Sequence, residues 1–263
     1  MADITTEDIV LTYGKETISG FVPQETIATE KFIPLILPKK PPVIKNLKES
    51  LLSALENPIG EQKPLSEVVR LNYKGNDVSI ITDDHDRPNV HTRLLLPLLL
   101  ELLTTKYRIP AKKIKIVIAT GTHRSPTSEE LKNILGIDLE KHDIIVHNCK
   151  ENLSVAGKVE GTTIKINKTV FNSDVIIPLT DVENHYFAGV AGGPKSFCPG
   201  ICDIDTITYE HLHMFGDEGF AENVGLGMID KNPVFAMKTK IVKTILETLK
   251  QHKREVYTIV TII

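Results

Sequence analysis

From Asp77 onward, short apolar runs recur along the chain, and most are followed by a polar loop and then a helical stretch. Val78–Thr82 reads as a buried strand, residues 83–89 as a polar loop, and His91–Lys106 as a helix that is apolar almost all round, with Pro97 inside it as a kink. Lys113–Ala119, residues 121–126 and Thr127–Leu135 repeat the order of strand, loop and helix. Asp143–Val146 and Asp174–Leu179 add further strands. Alternation of this kind points to a Rossmann-like α/β fold, a mostly parallel sheet with helices on both faces. In such sheets ligands bind at the carboxyl ends of the strands, where the loops gather.

The flanking segments read differently. Asp8–Tyr13 and Glu16–Val22 alternate like an N-terminal β-hairpin around Gly14-Lys15, and a proline-rich connector runs from Pro34 to Pro42. Val43–Leu55 has a helical pattern that Asn57-Pro58-Ile59-Gly60 stops, and Leu65–Arg70 reads as a short second helix. Ser154–Lys168 looks like a glycine-turned hairpin, and Ile204–Met214 like a helix. The whole, residues 1–263, is expected to form a single α/β domain, with the β-like run Val256–Ile263 as a strand edge or interdomain segment.

Composition narrows the function classes. A chain of 263 residues with 41% hydrophobic and 25% charged side chains can bury a sizeable core. A net charge of −3, with basic and acidic residues mixed, offers no electrostatic reason to expect nucleic acid or an anionic membrane as partner. Cys149, Cys198 and Cys202 make a poor disulfide framework, lack paired zinc-site spacing and read as buried small side chains. The Leu94–Leu103 run is too short to span a bilayer and no apolar leader opens the chain, so a cytoplasmic location is expected.

The densest chemistry lies between His185 and Gly200, followed by His211. Gly192 and Gly193 permit a sharp turn and close approach of a ligand to the backbone. Lys195 beside them can hold a phosphate, or act as a nucleophile if its pKa is lowered. His123 follows a strand in Ala119-Thr120-Gly121-Thr122-His123-Arg124, and His185 has a similar context. Two such histidines facing one ligand can serve as paired acid and base. His211 and His213 do not share a helix face, so His211 is the candidate metal ligand and His213 is peripheral. Asp83, Asp84, Asp86 and Arg87 follow the first strand, while His91, His142, His147 and His252 read as structural or solvated.

Taken together, these motifs resemble the lactate racemase family, whose catalytic subunit uses a nickel-pincer nucleotide. The resemblance rests on Ala54–Gly60, Asp84-His85-Asp86-Arg87-Pro88, Ala119–Arg124, His185-Tyr186-Phe187-Ala188-Gly189, Gly192-Gly193-Pro194-Lys195, Pro199-Gly200, His211 and Asn232-Pro233, in the family's order. It implies that Lys195 tethers the cofactor, a pyridinium bis-thiocarboxylate-derived mononucleotide carrying nickel, with Gly192 and Gly193 in its binding loop. It implies that His211 ligates the nickel, that His123 and His185 are the two acid/bases, and that Asp84 and Arg87 line the pocket, Arg87 suiting a carboxylate. The implied reaction is racemisation of a small 2-hydroxy acid by proton-coupled hydride transfer, with the cofactor made by separate biosynthetic enzymes.

Two departures from the family pattern stand out. Asp86 replaces the usual threonine before the arginine, and is expected to pair with Arg87 and weaken its hold on an anion. The family's second lobe is expected to be absent, making the chain a fragment or a shortened homologue. Alternatives are a non-catalytic lobe that binds the nickel nucleotide or needs a partner, and a zinc hydrolase built on His123, His185 and His211.

Overall fold

A computed structural model describes residues 6–13, 16–23, 44–87 and 89–262. Its contacts divide into two compact units, residues 1–45 and 46–263. The first contains an antiparallel hairpin, β1 (Thr6–Tyr13) and β2 (Glu16–Pro23), paired from Thr6–Pro23 to Tyr13–Glu16. The Gly14-Lys15 turn and the Pro34–Pro42 connector lie outside the described residues.

The second unit is built on a parallel sheet. Its strands are β3 (Val78–Asp83), β4 (Ile114–Ala119), β5 (Asp143–Val146), β8 (Val175–Asp181), β13 (Glu255–Val256) and β14 (Ile259–Thr261). β5, β4, β3 and β8 lie side by side, and β13 and β14 both pair with the far edge of β8. The C-terminal run is therefore a sheet edge. The chain builds outward from β3 through β4 to β5, then returns to lay β8 on the other side of β3. The β3–β8 seam is thus where the strand order reverses, the usual place for a ligand crevice in an open α/β sheet.

Two-residue periodicity sends alternate side chains to opposite faces. Val78, Ile80, Ile116, Ile118, Val175, Ile177 and Leu179 pack on one side with α1 (Leu47–Glu56), α2 (Leu65–Asn72), α3 (Val90–Thr105) and α4 (Ser128–Leu135). Ile81, Val117 and Ile176 pack on the other. There they meet the hairpin of β6 (Leu153–Val159) and β7 (Thr162–Asn167), α5 (Lys168–Asn172), α6 (Ile204–Leu212) and α7 (Pro233–Gln251). Two short ribbons, β9 (Asn184–His185) with β10 (Gly189–Val190) and β11 (Phe215–Gly216) with β12 (Gly219–Phe220), follow β8 and α6.

Local chemistry explains the boundaries. The first helix starts later than its apolar pattern suggests because the Asn46 side chain caps it, accepting from Glu49 N–H at 3.2 Å. Thr127 and Glu130 form a reciprocal capping box at α4, and Gly136 ends that helix in the left-handed region. Cys149, Cys198 and Cys202 are buried free thiols, as their spacing suggests. Among the described residues, no helix is long and apolar enough to cross a membrane.

Asn232 does more than cap α7. Fully buried, it accepts from Val234 and Phe235 N–H at 3.0 and 3.1 Å and donates to the Phe187 and Met228 carbonyls at 2.9 and 3.0 Å. It ties the helix to the loop that carries His185. Asn232→Ala removes the cap and leaves two carbonyls without their donor, an expected loss of about 2–4 kcal/mol in urea unfolding. A change within experimental error would contradict that accounting.

Candidate functional site

The carboxyl ends of β3, β4 and β8 open into one cavity of about 300 Å³. Every side chain named from sequence for catalysis, tethering or metal binding reaches its wall: Asp84, Arg87, His123, His185, Lys195 and His211. They come from the loops that follow β3, β4 and β8 and, for His211, from the last turn of α6. The fold brings together residues that span Asp84 to His211 in the chain.

His123 is held by the loop after β3. Its Nδ1 donates to Asp84 Oδ2 at 2.6 Å, and Asp86 Oδ2 lies 3.2 Å from the same nitrogen. Asp84 is itself buried and anchored, accepting from Asp86 N–H at 3.3 Å. The hydrogen bond to Asp84 raises the His123 pKa against the opposing effect of burial. Asp86 thus faces His123, and the expected Asp86–Arg87 pair is not formed. Arg87 instead meets Glu183, with Nη1 donating to Oε1 at 2.6 Å.

His185 has the opposite bias. Burial, then the nearby cations Lys195, Arg87 and Lys238, push its pKa down to about 3. Its ring stacks on Tyr186 and meets the edge of Phe187, and its Nδ1 accepts from Ala188 N–H at 3.3 Å. One wall therefore favours an imidazolium and the other a neutral imidazole. Environments that push two titratable groups apart are a recurrent mark of acid/base pairs.

Lys195 sits in a short helical turn, Gly193–Ser196, that follows Gly192. Its backbone N–H donates to the Gly192 carbonyl at 3.1 Å, and Gly200 N–H donates to the Lys195 carbonyl at 2.9 Å. Gly121 N–H in turn donates to Gly200 O at 2.9 Å, locking the lysine loop to the loop that carries His123. Gly192 and Gly193 are not on the cavity wall; they shape the turn that presents the lysine. Burial, then Arg87 and Lys238, lower the Lys195 pKa to about 8, so a useful fraction of the side chain is free amine near neutrality.

His211 ends α6 with Nδ1 donating to the Ile207 carbonyl at 3.0 Å, which leaves Nε2 as the available lone pair. Beneath it lie Glu210 and Lys238, both almost fully buried and both on the cavity wall. Burial lowers the Lys238 pKa, while Glu210 opposes the shift. Sequence reading passed over both. The available signal was Lys238 interrupting the apolar stripe Val234, Met237, Ile241, Val242, Ile245 of α7.

Asp83, Asp181 and His91 were also missed as a unit. Asp83 ends β3 and Asp181 ends β8, with the buried His91 between them at 3.6 Å from Asp83 and 3.4 Å from Asp181. Burial raises the Asp83 pKa to about 6. Among the described residues, the groupings able to hold a metal ion are Asp83–His91–Asp181 and Asp84–Asp86–His123. Neither unites His123, His185 and His211, so the hydrolytic zinc site imagined from those three is not assembled. His147 proves structural, its Nε2 donating to Cys202 O at 2.8 Å.

This architecture has relatives. Residues 13–223 match the lactate racemase N-terminal domain family. The chain belongs to that family. It is 34% identical to a lactate racemase from Thermoanaerobacterium thermosaccharolyticum over 86% of this chain and 51% of that protein. It is 33% identical to one from Lactiplantibacillus plantarum over 80% of this chain and 49% of that protein. The chain thus spans about half the length of the curated racemases it matches. The structure of the lactate racemase apoprotein from T. thermosaccharolyticum superposes with a TM-score of 0.69 at 27% identity, covering 97% of this chain and 56% of that one. A Thermotoga maritima protein shares the fold, with a TM-score of 0.63 at 21% identity over 82% of this chain and 51% of that one.

Proposed function

We propose that this chain is the cofactor-bearing lobe of a 2-hydroxy-acid racemase. The observation that carries the reading is the convergence, at one strand-end cavity, of two oppositely biased histidines, a depressed-pKa lysine and a histidine with one committed nitrogen. The donor set fits a nickel-pincer nucleotide: Lys195 is a buried amine suited to tethering it, and His211 Nε2 is suited to its nickel. When bound, that group supplies the hydride acceptor and donor for substrate C2.

The chain's own residues do the rest. Arg87 exchanges its Glu183 contact for the substrate carboxylate, a bidentate partner of the right shape. His123, oriented by Asp84, enters protonated, and His185 enters neutral. His185 takes the hydroxyl proton from one side of the substrate carbon and His123 returns one from the other. Acting as a base at Nε2 requires the His185 ring to give up the 3.3 Å contact with Ala188 N–H and place its proton on Nδ1. The protein works in this reading as a cytoplasmic enzyme on a small hydroxy acid, loaded by separate cofactor-making enzymes.

Intact mass and nickel content after co-expression with those enzymes test the reading. Wild-type protein is expected to gain a cofactor-sized adduct on Lys195 with near-stoichiometric nickel, and Lys195→Ala to gain none. An adduct that persists in Lys195→Ala contradicts the tether. The half-length match to the racemases supports a second reading, a lobe that holds the nucleotide without turning over or needs a partner chain. Adduct without racemisation, across a panel of 2-hydroxy acids, favours it.

A further inference from the structure

One wall of the cavity carries a charge that the racemase reading does not use. Lys238 lies on α7 among Val234, Met237, Ile241, Val242 and Ile245, the buried side of that helix. It is only 2% exposed, yet it lines the cavity. Such a position favours an apolar side chain, because an ammonium gives up its hydration on burial and a hydrocarbon chain does not. A lysine kept there needs a counter-charge or a ligand.

The protein supplies no close counter-charge. Among the described residues, Lys238 Nζ makes no hydrogen bond, and no carboxylate oxygen lies within 4.0 Å of it. Glu210, the buried carboxylate that opposes its pKa shift, is engaged elsewhere, with Oε2 2.6 Å from His211 Nδ1. The face of Phe235, 5.5 Å from Nζ, steadies the cation but leaves its N–H donors unused. The other cations of the cavity are accounted for. Arg87 is paired with Glu183, and Lys195 is the tether. Arg87 and Lys238 both act on Lys195, and all three act on His185, so Lys238 adds positive charge where it is already in excess.

We propose that Lys238 is an anion-binding group of this cavity, holding a phosphate or carboxylate oxygen through its ammonium. Its neighbours on α7 fix its place, and the bound anion supplies the missing counter-charge. The racemase reading, on which the choice of ligand rests, offers two sources: the phosphate of the mononucleotide and the carboxylate of the hydroxy acid. The fork of Arg87 suits a carboxylate and the point charge of a lysine suits a phosphate, so the nucleotide is the expected source.

Binding to the unloaded full chain tests the site. The probes are nicotinamide mononucleotide as a pyridinium mononucleotide, its phosphate-free riboside, and lactate, each followed by NMR titration. Wild type is expected to bind the mononucleotide about 10–100-fold more tightly than the riboside. Lys238→Met, which keeps an unbranched side chain in the helix stripe, should abolish that preference. If Lys238→Met instead weakens lactate and leaves the preference in place, the anion is the substrate carboxylate. No change for either ligand, or no binding of any probe by wild type, overturns the site. Urea unfolding gives a reading that needs no ligand. Removing a buried charge that has no partner should raise the midpoint of Lys238→Met, whereas a lower midpoint reveals a structural role and defeats the proposal. The tether is tested separately by the Lys195 adduct, so either reading can fail without the other.

Discussion

Gly192→Ala is expected to destabilise the second unit by more than about 4 kcal/mol, the range reserved for changes that the structure cannot absorb. Gly192 has φ +85° and ψ 178°, a conformation that essentially only glycine adopts. A Cβ there would stand 1.6 Å from the Asp181 carbonyl oxygen. That oxygen belongs to β8, a fully buried strand, so it cannot retreat. The neighbouring Gly193 is the control. It also has positive φ, +51°, but a Cβ would meet nothing within 4 Å. Gly193→Ala should cost only about 1–2 kcal/mol of left-handed backbone strain. Chemical unfolding of the two variants reads the difference directly. Equal losses would show that the contact with β8 is not what demands glycine.

The second large effect is catalytic. In cofactor-loaded protein, His123→Gln and His185→Gln should each lower racemisation by about 10²–10⁴-fold while adduct and nickel are retained. Near-normal turnover in either variant would remove that histidine from the acid/base pair. The pH dependence sharpens the test. In the proposed reaction the working state holds one proton, on His123, whose pKa lies above the ordinary 6.5 chiefly because of its hydrogen bond to Asp84. Raising the pH through that value removes the proton, so activity is lost on the alkaline side. Asp84→Asn deletes the charge that favours the imidazolium and should move the alkaline limb to lower pH. A limb that stays in place would assign the titration to another group.

The pKa of about 3 at His185 has a consequence for stability as well. The folded state disfavours its protonation while the unfolded chain, titrating near 6.5, does not. Below 6.5 the unfolded state therefore binds the proton first, and this contribution to stability drains away as the pH falls toward 3.

Much of the site was legible because chemistry and chain order coincide. His123, His185 and Lys195 follow strand-like runs, and loops after parallel strands converge by topology alone. Glycines beside Lys195 marked a tight turn, and at Gly192 the contact with Asp181 O admits only glycine. What escaped was every partner that acts from an element the pattern assigned to the core. Lys238 and Glu210 occupy buried helical positions, and His91 sits in the first turn of an almost wholly apolar helix. Burial of a polar residue is invisible in a one-dimensional pattern unless it breaks a stripe, as Lys238 does.

Asp86 shows the same limit from the other side. Adjacency to Arg87 suggested a pair, yet in the loop after β3 the two side chains diverge, one to His123 and the other to Glu183. Neighbours in sequence need not face each other, and Glu183 lies 96 residues further along.

Periodicity and punctuation by themselves determined the alternating strands and helices, the parallel sheet and the rim on which a ligand must bind, because these follow from local backbone preference and the burial of apolar faces. Only the tertiary structure decided which charges meet at that rim. The bias of His123 and His185, the lowered pKa of Lys195 and the seam around His91 arise from desolvation and from Coulombic neighbours supplied by other strands and helices. Those neighbours exist only once β8 has returned to the side of β3.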